Sequence, residues 1–161
     1  MYKLFFLLLF ITWTAPSCTD LENSGPKAVY QTVSTEKQYC AFCSQKLKSP
    51  RYGGELTNPD GTKLSFRSVE CVAGYVANQG LQTTDNIRVV DFIDAKTLLK
   101  VEEALFLHSP NLGSPNGMDL AAIEKSNTEM QEKIERVYPG RYIEWPEVVQ
   151  RIIHSGYAQH H

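Results

Sequence analysis

Cys40 and Cys43 stand three positions apart, with Ala41 and Phe42 between them. Two thiols at that spacing can grip one metal ion with both sulfurs, close into a disulfide, or work as a redox pair. The choice depends on the compartment and on which other ligands reach the pair. Cys71 follows Ser68 at the spacing between a helix N-cap and the first helical turn, where the helix dipole favours a thiolate. It also lies beside an apolar stripe, so packing as a small buried residue competes with ligation. Met118 follows a Pro/Gly/Asn-rich loop and sits off the stripe that accounts for Met130. A thioether beside thiolates selects Cu(I) over harder ions. His108 ends a strand candidate. It is the histidine placed to complete a zinc site, which needs a fourth ligand beside three cysteines. His154 and the terminal pair His160-His161 carry less weight, being a helix end and a tail.

The compartment is written at the start of the chain. Lys3 precedes the unbroken apolar run Leu4 to Ile11, and Ala15-Pro16-Ser17 lead into Cys18. A charged start, a short apolar core and small residues before a cut site form an export signal over residues 1–17. The run is too short to span a bilayer, which takes about 20 apolar residues. Small residues ending in a cysteine have the form of a lipoprotein signal, so Cys18 is the expected lipid carrier and 18–35 a polar tether. With Cys18 lipidated, three of the four cysteines remain. An odd number leaves at least one thiol outside any intramolecular disulfide, which suits a metal site or a redox pair with a spare thiol.

The formal net charge is −2, without the basic face that nucleic-acid binding needs. After the signal no second long apolar run occurs, so the body is expected to be soluble apart from its anchor. No Ser/His/Asp set, phosphate loop or paired carboxylates at catalytic spacing stand out, so no enzyme activity is expected.

The elements that must position the thiols read as α+β. The CxxC falls on a tight turn within residues 38–47. Strands are expected at Gly54–Thr57 and Thr62–Phe66, joined by Asn58-Pro59-Asp60-Gly61, a strong hairpin signal. Ser68 opens a helix whose stripe is Val69, Val72, Ala73 and Val76, ended by Asn78-Gln79-Gly80. Ile87–Ile93 and Val101–Leu107 read as strands, and 109–117 as a loop. The 3,4 spacing of Leu120, Ile123, Met130, Ile134 and Val137 predicts one long helix with those residues toward the core. Arg141–Trp145 reads as a strand, and Pro146 to His154 as a last helix with Pro in its first turn. The order of elements divides the chain into two α+β halves, 36–85 with the CxxC and 86–161.

The chain resembles the NosL-type copper lipoproteins, accessory proteins of nitrous oxide reductase maturation. The resemblance rests on Cys18, on Tyr39-Cys40 through Cys43, on Phe66 to Tyr75 with Cys71, on Asp94-Ala95, and on Gly117-Met118 leading into Asp119-Leu120-Ala121. It implies tandem ββαβ-like halves tethered to a bacterial membrane and facing the periplasm or cell exterior. It also implies a Cu(I) site, a copper-accepting enzyme or its maturation machinery as partner, and delivery without catalysis. One departure stands out: the family commonly continues its cysteine motif with Gly-Met, and here Ser44-Gln45 occupies that place. The ligands must then come from Cys40, Cys43, Cys71 or Met118, and a copper enzyme other than nitrous oxide reductase stays open as the target. Two other functions fit the same residues: an exported thiol-disulfide protein using Cys40 and Cys43, and a structural zinc module for protein binding.

Overall fold

A computed structural model describes residues 39–159; the expected export signal, Cys18, the expected tether and His160-His161 lie outside the described residues. The fold is α+β. Strands β1 (Gly54–Thr57) and β2 (Lys63–Phe66) form the expected antiparallel hairpin, with Leu56 opposite Leu64. Its turn closes through Asn58 N–H to Thr62 O at 2.8 Å, and the Asp60 carboxylate accepts from Thr62 N at 2.9 Å. β1 pairs on its other side with β3 (Ile87–Val90), which pairs with β4 (Leu98–Lys100), giving the antiparallel order β2-β1-β3-β4. Gly54 allows this close approach, since a Cβ there would come 2.7 Å from Arg88 O and 2.8 Å from Val72 Cγ2. A second sheet has the order β6-β5-β7, from β5 (Ala104–His108), β6 (Leu120–Glu124) and β7 (Arg141–Ile143). The sheets touch where Phe92 N–H donates to Ala122 O at 2.8 Å.

Three α-helices accompany the sheets: α1 (Val69–Gln79), α2 (Thr128–Val137) and α3 (Trp145–His154). α1 packs on α3, on β1 and β6, and on the 3-10 turn at Tyr157–Gln159. The larger core joins Leu56, Val72 and Ile87 with Phe106, Val148 and Ile152, drawing on both sides of residue 85. β3, the first strand after residue 85, pairs with β1 before it and with β4 after it. Among the described residues no helix is long and apolar enough to cross a membrane.

α1 forms where its sequence places it. Ser68 caps it, accepting from Cys71 N at 3.3 Å, and Gly80 ends it in the left-handed conformation. The second predicted helix is corrected. Leu120–Glu124 is strand β6, and α2 begins only at Thr128. Leu120, Ala121, Ala122 and Ile123 are buried in succession, a run that suits a strand covered on both faces as well as a helix. Pairing with β5 decides for the strand. Asn127 is the N-cap of α2, accepting from Met130 N at 3.2 Å. The expected core stripe dissolves with it: Val137 is 63% exposed, Met130 is half-buried, and α2 carries no buried residue. The strand expected at Val101–Leu107 starts at Ala104, after a 3-10 turn, and Trp145 belongs to α3.

Candidate metal centre

The CxxC lies on a turn tied at both ends. Cys40 N–H donates to Gln45 O at 2.8 Å and Ser44 N–H to Cys40 O at 3.0 Å, while Tyr39 and Lys46 form an antiparallel bridge. Ala41 N–H donates to Ser65 O at 2.9 Å, fastening the turn to β2. Ser44 has φ 54°, in the left-handed region that favours glycine. The Gly-Met departure has a structural consequence here. Ser44 adopts a glycine conformation, and the Gln45 side chain accepts from the Arg67 guanidinium. A polar tether stands where the resemblance places a thioether.

Phe42, between the two cysteines, seats the turn on α1. Its ring lies against Gly74, where a Cβ would come 2.6 Å from Phe42 Cζ, and its centroid is 5.7 Å from that of Tyr157. This contact accounts for a glycine inside a helix, where it costs about 0.5–1 kcal/mol relative to Ala. Across the site Arg67 also donates to Pro115 O at 3.2 Å, joining the turn to the loop before β6. Glu70 fastens that loop to α1. Its buried carboxyl accepts from Ser114 Oγ at 2.6 Å and Leu120 N at 3.3 Å, and burial pushes its pKa up.

These ties bring Cys40, Cys43 and Cys71 together, with all three sulfurs within 4.8 Å of one another. All three are free thiols, and Cys71 Sγ is 3.6 Å from Cys43 Sγ. Cys40 is 3% and Cys71 0% exposed, whereas Cys43 is half-buried. Cys43 is therefore the sulfur with most access to solvent. The helix position favours a thiolate at Cys71, but the contacts around the pair favour it at Cys40. A hydrogen bond from the Cys71 thiol, helped by the backbone N–H groups of Cys43, Arg67 and Phe42, brings Cys40 down to about 5 against the opposing effect of burial. Cys71 is pushed up, first by that same hydrogen bond and then by burial. Two adjacent thiols share one proton, so the pair loses its first proton easily and its second with difficulty.

The chain shares its fold with the crystal structure of the copper chaperone NosL from Shewanella denitrificans. The TM-score is 0.56 at 13% identity, over 71% of this chain and 92% of that chain. At that identity the likeness is one of fold. No family model and no curated protein sequence matches the chain.

Met118 is not at a helix start, since Gly117 (φ 71°) and Asp119 (φ 58°) turn the chain directly into β6. Its side chain is half-buried against the core cluster that contains Cys40 and Cys71. His108 does not join the thiols, which form the group that gathers His, Cys, Asp or Glu ligand atoms among the described residues. Its Nε2 lies 3.2 Å from an Arg151 guanidinium nitrogen, and burial, then the Arg151 charge, lowers its pKa.

Two residues at the centre escaped the sequence reading. Asn116 Nδ2 donates to Cys71 Sγ at 3.1 Å and also bonds the Tyr157 hydroxyl, which is itself 3.5 Å from Cys71 Sγ. Asn116 reads as loop composition, and Tyr157 follows the last helix 86 positions from Cys71; neither carries a local signal. Gly74 did carry one, because a glycine inside a helix calls for a packing reason.

Proposed function

We propose that this protein is a tethered Cu(I) carrier that passes copper to an acceptor outside the cytoplasm. The observation that carries the reading is the convergence of three free thiols, two of them buried, in a fold shared with a copper chaperone. Thiolate sulfur is a soft ligand and favours Cu(I) over harder ions. Structural zinc is almost always four-coordinate, and the converging group supplies three sulfurs without a histidine or carboxylate. Copper is cargo on this reading, and the protein does no chemistry on it beyond binding and release. Cys40 and Cys71 hold it from the buried side. Cys43 is the sulfur at which an acceptor's ligand begins the exchange, since it is the accessible one. Met118 stands by as a soft ligand from the loop. The acceptor is a copper enzyme or its assembly machinery, nitrous oxide reductase being one such enzyme. The anchor is a lipid on Cys18, supported by the apolar run and the small residues before it.

The test is anaerobic titration of the reduced protein against a competing Cu(I) chelator. One Cu(I) per chain is expected, bound through sulfur. Stoichiometric zinc that copper does not displace overturns the reading.

A further inference from the structure

We propose that Asn116 and Tyr157 are positioning residues that hold Cys71 as the third sulfur of the site through donated hydrogen bonds. The inference rests on the Cu(I) reading of this cluster and assigns residues that neither bind copper nor lie near the CxxC in sequence.

Three polar groups form a closed triangle. Asn116 Nδ2 is 3.1 Å from Cys71 Sγ and within hydrogen-bond reach of the Tyr157 hydroxyl, and that hydroxyl is 3.5 Å from the same sulfur. The amide nitrogen has two hydrogens to give. One goes to the sulfur and one to the phenol oxygen, which leaves the phenol hydrogen to turn toward the sulfur. A cysteine sulfur whose proton has been displaced to solvent on metal binding can only accept, and two donors already face this one. Toward a deprotonated sulfur only the amide nitrogen of Asn116 can bond, because Oδ1 has no hydrogen to give.

The rest of the site fixes the triangle. Tyr157 rests its ring on Phe42, within the CxxC. The loop around Asn116 is held by Arg67 through Pro115 O and by Glu70 through Ser114. The sulfurs, the donors and their supports come from four separate stretches of chain. Hydrogen bonds to a bound sulfur orient it and tune its donor strength, as outer groups do around metal sites generally.

Asn116→Asp keeps the size and shape but replaces the donor with an acceptor. Tyr157→Phe keeps the ring contact and removes the hydroxyl. With folding checked by circular dichroism, Asn116→Asp should weaken Cu(I) binding by about 10–100-fold, the range for losing an outer-shell partner. It should also move the thiolate-to-copper charge-transfer band to longer wavelength, because an unbonded sulfur is more electron-rich. Tyr157→Phe should give a smaller shift in the same direction. Wild-type affinity and an unmoved band in both variants overturn the proposal. Metal-free protein gives a separate readout. The Asn116 side-chain amide protons should be displaced from their free-amide positions and protected from solvent exchange by NMR, and free-amide positions with fast exchange overturn the hydrogen bonds. If wild-type protein takes up no Cu(I), the copper reading fails, while the amide resonances still decide whether Cys71 is held in this way.

Discussion

α1 and α2 start with the same device and end in opposite surroundings. Each opens on a side-chain cap, Ser68 or Asn127, and each places a sulfur residue three positions later, Cys71 or Met130, whose N–H the cap receives. α1 then buries seven residues and α2 none. α1 is enclosed by α3, by β1 and by the Tyr157–Gln159 turn. On α2, Ile134 leans on the smaller core, and exposed pairs one turn apart hold the rest, Glu129 with Lys133 and Glu132 with Arg136. Such pairs contribute about 0.3–0.5 kcal/mol each. Local capping sets where a helix begins, and long-range packing decides whether its first-turn sulfur meets other ligands or solvent. Cys71 reaches Cys43 from 28 positions away and Tyr157 from 86.

The sharpest break in that comparison comes from the two sulfurs. Cys71→Ala should lower Cu(I) affinity by at least about 100-fold, more than the loss of a supporting group, as read by chelator competition. Next comes the seat of the turn. Gly74→Val drives a side chain into the Phe42 ring. It should cost about 1–3 kcal/mol, the usual range for overpacking, in urea denaturation and weaken copper binding with it. No residue on α2 has an equivalent role.

Caps should separate stability from function. Ser68→Ala and Asn127→Ala each remove one bond to a helix N–H, and each should cost about 1 kcal/mol in thermal melts. Only Ser68→Ala should also reduce copper affinity, because only its helix carries a site sulfur. The smallest effect belongs to Met130→Ala. A buried methionine costs about 2–5 kcal/mol to truncate. Met130 is half-buried on a helix with no buried residue, so about 0.5 kcal/mol is expected, the scale of surface changes. Its copper titration should match wild type. A larger loss would mean that α2 packs more tightly than its exposure indicates.

What the amino-acid sequence determined by itself was local: the hairpin at Asn58–Gly61, the cap at Ser68, the Gly80 stop, the Pro146 start, and the pairing of two thiols across Ala41-Phe42. Each rests on a turn, a cap or a spacing that neighbouring residues enforce. β6 was misread because apolar residues on a 3,4 spacing and a strand buried on both faces share one pattern over five residues. Only pairing with β5 separates them. The site followed the same division. Cys40, Cys43 and Cys71 were named from their types and helix position, but which of them holds the proton was not, because that depends on a hydrogen bond between segments about thirty residues apart. Asn116, Tyr157 and Arg67 have no local mark at all. Their roles exist only because the tertiary structure closes four distant stretches of chain around one sulfur, and no spacing rule in a sequence records a contact of that range.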